Sequence, residues 1–314
     1  MPAYNEAASL PRVVPEVLAA LLALSPKVEL IVVDDGSRDD TLAVMAELAE
    51  QYPNLVTLQL SRNFGKEAAL AAGLEAALGD VVVMMDADGQ HPAALLPEML
   101  HHWRDGADNV YAVRKNREDQ PRLYGFGVRN FYRLLNWGSR FKVPPDAGDF
   151  RMLDRRVVQA LNALPERNRF MKGLYAWAGF RCVELPYEPL PRQAGRSHYD
   201  LRSALKLGIT GLLAFTPAPL RLFGVLGLVL ALAAMGYGAW TVFEYFYWGI
   251  KVQGYATLIT SIMFFSGVQL LSIGTLAEYV ARIYGEVKRR PLYWVAARRG
   301  QGLSSANTNG ILVP

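Results

Sequence analysis

The sequence predicts an α/β domain built on a parallel sheet covered by helices, followed by an amphipathic juxtamembrane helix and two transmembrane helices. Three observations carry that prediction. Short apolar runs alternate with amphipathic stretches through the first half of the chain. One such run, VVVMM at residues 81–85, stops directly at two aspartates, Asp86 and Asp88. The hydrophobic excess of the chain is concentrated after Leu212. A βαβα alternation gives a parallel sheet with helices on its faces.

The opening stretch reads as a loop and then an amphipathic helix, with Ser9 as N-cap and Pro11 early in the helix. Residues 28–33 (VELIVV) form a buried strand that runs into an acidic turn, and the next helix is capped near Asp39 or Asp40. Helix 41–51, strand 55–60, a glycine turn and an alanine-rich helix follow. VVVMM holds no polar residue, so it is expected to be a strand buried on both faces. Ligands of open α/β sheets sit beyond the carboxyl ends of the strands, which places Asp86 and Asp88 at the rim of a crevice. Two carboxylates there, with Gly89 turning the chain, suit Mg2+ or Mn2+ completed by phosphate oxygens. A plain acidic turn has the same short signature, so the pair alone does not decide. Further on, the pattern predicts a strand at 110–113, a charged loop at 114–122, a helix at 126–141 and a loop entering a strand at 146–153. A helix at 167–178, a short strand at 182–186 and a loop at 189–198 complete the domain.

Hydrophobic residues make up 52% of the 314-residue chain, and the mean hydropathy is +0.11. A single cysteine, Cys182, excludes an intrachain disulfide, and no Cys/His group has zinc spacing. The net charge is +4, and the basic residues gather beside the apolar segments and in the tail. That distribution favours anionic lipid headgroups over nucleic acid. Met1 opens directly onto a polar motif, so no cleavable signal peptide is expected. Leu201, Leu205, Ile209 and Leu212 share one helical stripe, the pattern of a helix lying in the membrane interface. Residues 222–243 and 256–277 carry no charge, and each run exceeds the roughly 20 residues that span a bilayer. Tyr237, Trp240, Tyr245, Tyr247 and Trp248 form an aromatic belt. The loop between the spans, 248–255, carries only Lys251, whereas Arg221, Arg282, Lys288, Arg289 and Arg290 lie at the other ends. The positive-inside tendency therefore predicts a two-span protein of the cell inner membrane with the α/β domain and both termini cytoplasmic. The expected divisions are 1–198, the α/β domain; 199–219, the juxtamembrane helix; 220–281, the two spans; and 282–314, a basic tail.

Four stretches stand together: PAYNE, VVDDGS, MDADGQHP, and DAGDFR followed by GRSHY. The combination resembles family 2 glycosyltransferases with the GT-A fold. It resembles most the polyprenyl-phosphate branch, which includes dolichol-phosphate-mannose-synthase-like and bactoprenol glucosyltransferases. The QxxRW motif of processive synthases is not present. The resemblance implies a metal-dependent, inverting transfer from a nucleotide-diphospho-sugar donor to a polyprenyl phosphate acceptor at the bilayer. UDP-glucose is the implied donor, with GDP-mannose and UDP-amino-arabinose derivatives left open. By resemblance Pro2, Ala3, Tyr4 and Glu6 line the nucleotide side and Asp35 contacts the base. Lys66 reaches the base or phosphate, Asp86 serves ribose or metal, and Asp88 holds the metal with the diphosphate. Gln90 faces the donor sugar or the metal's shell. Asp149 matches the proposed base, with positioning of the reacting groups as the alternative. Arg114, Arg129 and Arg151 are the cations for the acceptor phosphate, since guanidinium matches phosphate oxygens bidentately. Arg196, Ser197, His198 and Tyr199 clamp the donor diphosphate, with His198 standing where relatives often carry lysine. A homo-oligomer is compatible with all of this.

In the family PAYNE ends the first strand, and here Met1 replaces residues inside it. The sequence therefore predicts that the strands of Val32 and Val83 flank a gap, and that the natural protein begins upstream. The same feature favours a second reading, a membrane scaffold with a degenerate nucleotide-binding domain. The intact acid pair and GRSHY oppose it.

Overall fold

The computed structural model describes residues 1–114, 147–167, 169–188, 190, 218–248 and 254–303. The expected charged loop at 114–122 beyond Arg114, the helix at 126–141, the loop at 189–198 apart from Leu190, and the juxtamembrane helix up to residue 217 lie outside the described residues.

Two four-stranded sheets replace the single parallel sheet expected. The first has the order β1 (Pro2–Ala3), β2 (Leu30–Asp34), β3 (Leu55–Leu60) and β8 (Val295–Arg299). The second has the order β4 (Val81–Met84), β6 (Ala147–Asp154), β5 (Asn109–Arg114) and β7 (Cys182–Tyr187). Strands β1, β2 and β3 are parallel, with Val32 opposite Thr57. In the second sheet β6 runs antiparallel to both β4 and β5, while β5 and β7 are parallel. This corrects the expectation for VVVMM. Among the described residues strand β4 pairs on one side only, and Val81, Val82 and Val83 are half-buried. The cause lies at the other edge: β1 is two residues long and pairs with β2 at Val33 and Asp34. The Met1 amino group donates to the Ile31 carbonyl at 2.8 Å, and Val33 N–H donates to the Met1 carbonyl at 2.9 Å. Among the described residues no ladder joins β1 to β4.

Helices cover both faces. α1 (Leu10–Leu24) buries Leu10, Val13, Val14, Val17 and Leu18, the i, i+3, i+4, i+7 spacing of one helical stripe. These side chains join Val32, Met99, Phe150 and Met152 in a core that spans both sheets, to which α4 (Leu96–Arg104) contributes. Ser9 stands at the N-cap as expected, but its hydroxyl donates to the Glu6 carboxylate instead of capping the helix. α2 (Thr41–Gln51) starts after Asp40, and Asp39 accepts from Thr41 N–H at 3.1 Å. On the other face α3 (Lys66–Ala76) packs with α5 (Arg155–Asn162) and α6 (Met171–Trp177) through Leu70, Leu74, Val157, Leu161 and Leu174. Helix α5 was not anticipated. Asp154 caps it by accepting from Arg156 N–H at 2.9 Å. The helix expected at 167–178 is confined to α6.

α7 (Ala218–Trp248) and α8 (Tyr255–Val287) are long and apolar enough to cross a membrane. Leu228, Leu232, Met235, Ile262, Met263 and Leu270 are exposed along them and are not packed into the core of the α/β domain. After α8 the chain returns to the α/β domain. β8 pairs antiparallel with β3, Thr57 opposite Arg299 and Leu60 opposite Val295. A strand from beyond the hairpin thus completes a sheet that begins before it, so both flanks of the hairpin lie on one side of any membrane it crosses. The tail is held further by Leu303 N–H donating to Glu29 at 3.2 Å and by the Tyr293 hydroxyl on the Glu75 carboxylate.

Gly300 makes the turn out of β8 at φ +88°, and a Cβ built there would run into the Leu55 carbonyl. We therefore expect Gly300→Val to lower Tm by roughly 3–8 °C, from left-handed backbone strain and the clash together. Hydrogen exchange followed by mass spectrometry should show the β3 amides exchanging faster while those of α1 keep their protection.

Candidate active site

The site is built from loops at the carboxyl ends of β1, β2, β3 and β4, with β6 crossing beside them. Pro2 and Ala3 form β1, and Tyr4 and Glu6 lie in the loop after it. That loop is bolted to the DDGS turn. Asn5, at φ 57°, donates its N–H to Ser37 Oγ at 2.9 Å and accepts from Arg38 N–H at 2.9 Å. Glu6 N–H donates to Thr41 Oγ1 at 2.9 Å. Asp34 is fully buried and accepts from Ser37 N–H. Asp35 is 4% exposed, and its two oxygens accept from Phe64 N–H at 2.7 Å and Gly65 N–H at 2.9 Å. Burial raises the Asp35 carboxyl above its ordinary range, with the two amides acting against it. Asp35 thereby sets the glycine turn from which α3, and Lys66 with it, departs.

Lys66 is the centre of the arrangement. Its Nζ lies 2.7 Å from Asp86 Oδ1 and 2.8 Å from Asp149 Oδ2. Burial would lower the ammonium, but Asp149 and Asp86 together hold it above its ordinary range. Burial likewise works to raise Asp149; Lys66 first, then Lys172 and Arg151, more than offset it and hold the carboxyl down at about 2. The other Asp149 oxygen, Oδ1, is buried and has no hydrogen-bond partner among the described residues. Such an acceptor is costly unless a ligand or water meets it.

The DADGQ turn carries the rest. Gly89 has φ +73°, and a Cβ there would stand 2.5 Å from Arg12 Nη2 on α1. Gln90 N–H donates to Asp88 Oδ1 at 3.1 Å, and Arg114 donates to Gln90 Oε1 at 3.0 Å. The Gln90 carbonyl accepts from Leu190 N–H at 3.1 Å, tying the segment after β7 to the turn. The structure thus gathers Lys66, Asp86 and Asp149 in one ion cluster, and Asp88, Gln90 and Arg114 in a chain beside it. Arg151 is placed differently from the phosphate-facing cation expected. It is 3% exposed, donates to the Gly148 carbonyl at 2.9 Å, and lies over the rings of Tyr175 at 4.2 Å and Tyr111 at 4.9 Å. Arg129, Arg196, Ser197, His198 and Tyr199 lie outside the described residues.

Three comparisons locate this geometry among known proteins. Glycosyl transferase family 2 matches residues 1–161, more than half of the chain. The chain belongs to glycosyl transferase family 2. The GtrB C-terminal hairpin matches residues 218–283, which covers α7 and most of α8. The SfII prophage-derived bactoprenol glucosyl transferase of Shigella flexneri is 40% identical over 93% of this chain and 95% of its own. A prophage bactoprenol glucosyl transferase homolog of Escherichia coli is 38% identical over 93% and 96%. An uncharacterized glycosyltransferase of Synechocystis is 38% identical over 94% and 93%. Among solved structures, the mannosyltransferase PcManGT from Pyrobaculum calidifontis, in complex with GDP-Man and Mn2+, superposes with a TM-score of 0.50 at 19% identity. It covers 92% of this chain and 86% of that one, which confirms the GT-A fold of the family 2 domain.

Two residues of this family 2 site escaped the sequence reading. His91 is the last polar residue of MDADGQHP: it is 8% exposed, stacks on Phe150 at 4.8 Å, and its Nδ1 accepts from Asp86 N–H at 3.0 Å. Burial lowers its pKa, which keeps the ring neutral with its proton on Nε2. The motif contained the signal, a polar residue closing a turn that carries the acid pair. Glu67, beside Lys66, accepts from Met171 N–H at 3.2 Å. Burial first, and then Asp149, pushes its carboxyl up to about 7.

That shift has a definite sign. Unfolded, Glu67 ionises near 4.5; folded, it keeps its proton to about 7. Between those values the folded state binds more protons, so stability falls as pH rises. Glu67→Gln keeps an acceptor for Met171 N–H without the charge. Thermal melts from pH 4.5 to 8 should show this loss, up to about 3 kcal/mol, in the unaltered chain and its absence in the variant.

Proposed function

We propose that the chain moves glucose from UDP-glucose onto a polyprenyl phosphate, with inversion at the anomeric carbon, at the cytoplasmic face of the cell inner membrane. One observation carries the reading: a family 2 domain with a Lys66–Asp86–Asp149 cluster is joined to a membrane-length hairpin whose tail returns to its sheet. The bactoprenol glucosyl transferases, similar along nearly the whole chain, support the acceptor class and the sugar. A polyprenyl tail leaves the bilayer at a cost of about 0.8 kcal/mol for each CH2, so the domain has to meet the phosphate at the headgroup layer.

In this reading an acceptor phosphate oxygen attacks the anomeric carbon as the bond from that carbon to the donor diphosphate breaks. The electron pair leaves with the nucleoside diphosphate. The acceptor's second pKa is about 6, so near neutrality it is already a dianion and no proton has to be removed. Asp149, ionised at every working pH and paired with Lys66, then serves to position the reacting groups. Asp86 and Asp88 are the hard oxygen donors that would hold Mg2+ or Mn2+, the latter being the ion present in PcManGT. Among the described residues no third carboxylate or imidazole completes a set, which fits an ion whose remaining ligands are diphosphate oxygens. Such an ion would neutralise charge on the departing diphosphate. Gln90, held by Arg114, borders the sugar side, and Asp35 with the PAYNE loop borders the nucleotide. Arg129, Arg196, Ser197, His198 and Tyr199 supply the remaining phosphate contacts by family resemblance.

Membranes carrying the chain, incubated with labelled UDP-glucose, GDP-mannose and a UDP-amino-arabinose derivative, test this directly. Label should enter the lipid extract from UDP-glucose. Label from none would favour the scaffold reading. Asp88→Asn should lower transfer by ~100-fold or more with membrane insertion unchanged. Full activity of that variant in the presence of a chelator would overturn the metal assignment.

A further inference from the structure

We propose that the last turn of α8 is a clasp on the catalytic domain, and that its Glu286 is a positioning residue for the membrane-held acceptor. The inference rests on the function proposed above and adds the device that fixes where the site stands over the lipid. α8 has 33 residues, which at 1.5 Å each is about 50 Å, against a hydrocarbon core of about 30 Å. Its charge-free run ends at Ala277, and Glu278, Arg282 and Glu286 follow at one-turn intervals. Glu278 and Arg282 pair at 3.2 Å. The stretch from Glu278 to the helix end, roughly 15 Å long, therefore projects from the apolar layer toward the domain.

Glu286 is where that projection takes hold. Both of its carboxylate oxygens accept from one amide, Arg167 N–H, at 3.0 and 3.2 Å. Arg167 lies between α5 and α6, and at the start of α6 Met171 N–H is held by Glu67 of α3. The neighbouring Lys66 bridges Asp86 and Asp149. The other end of α3 is tied to the same tail, through Glu75 and Tyr293. The helix carrying Lys66 is thus connected at both ends to the membrane hairpin. A carboxylate on a backbone amide is a charge-assisted bond, stronger than a neutral one. Losing it would let the domain tilt on the hairpin. The acceptor phosphate would suffer, being held at a set depth, while the freely diffusing donor would not.

The test uses the full chain with two acceptors: a long polyprenyl phosphate embedded in nanodiscs, and a short isoprenyl phosphate soluble in detergent. Glu286→Ala should cut kcat/KM for the embedded acceptor by about tenfold. For the short acceptor kcat/KM, and the Kd for UDP-glucose, should stay within about twofold of the unaltered chain. Glu286→Gln keeps one acceptor oxygen and should recover most of the loss. An equal fall on both acceptors, a fall in donor binding, or no fall on either would overturn the clasp. Transfer to neither acceptor by the unaltered chain would instead overturn the functional reading, and this proposal with it.

Discussion

The two contacts of Lys66 join what the backbone leaves separate. No ladder connects the sheets among the described residues. Lys66 begins α3, and its turn is set by Asp35 at the end of the first sheet. Its two partners, Asp86 and Asp149, belong to the end of β4 and to β6 of the second. The apolar core spans both sheets but is non-directional. The ammonium adds a specific distance between the loops that must face a common ligand. Removing one partner of this half-buried cluster would leave the remaining charge uncompensated, at a cost that solvent screens only in part. The site and the fold therefore share one bond, and His91 on the Asp86 amide stiffens the same turn from the other side.

The return of the chain after the hairpin supplies a second constraint. Without β8, strand β3 would be an open edge. Exposed edges invite pairing with other chains. Here the edge is covered by a segment that can reach it only if the hairpin ends on the same side as it began. Topology in the membrane and closure of the soluble sheet are consequently one requirement. A connector of residues 288–294 is all that lies between them, so the domain is held close to the helix end.

Local signals were legible and non-local ones were not. Residues 41–51 and 55–60 declared themselves by period and boundary, because their patterns are contained in the segment. The acid pair was legible for the same reason, since an apolar strand followed by DADGQ is one contiguous stretch. Antiparallel insertion of β6 between β4 and β5 was not, as pairing depends on residues distant in sequence. VVVMM is a half-buried edge rather than an interior strand because, among the described residues, the two-residue β1 pairs with β2 and not with β4. β8 has no apolar alternation at all and owes its place to the β3 edge and the turns at Gly300 and Gly302. Arg151 shows the limit for side chains: DAGDFR told which residue stands beside Asp149, but not that Tyr111 and Tyr175 would enclose its guanidinium.

The charge balance of the crevice is what the functional reading finally has to meet. Asp86, Asp88 and Asp149 stand against Lys66 at contact, with Lys172 and Arg151 acting on Asp149 from farther off and Arg114 holding the neutral Gln90. A nucleoside diphosphate brings further negative charge to a rim already rich in it. Carboxylates alone would repel it, so an acid pair in this position suits the donor only with a divalent cation between them. The dianionic acceptor meets the same field, which makes a second carboxylate beside Asp149 a liability if ionised. Glu67, kept protonated to about 7, spares the crevice that charge through the acidic half of the working range. Its proton is retained because burial and Asp149 act in the same direction, whereas Asp149 itself sheds its proton because Lys66 touches it. Neighbouring acids are thus held in opposite states, Glu67 by its burial beside Asp149 and Asp149 by its contact with Lys66.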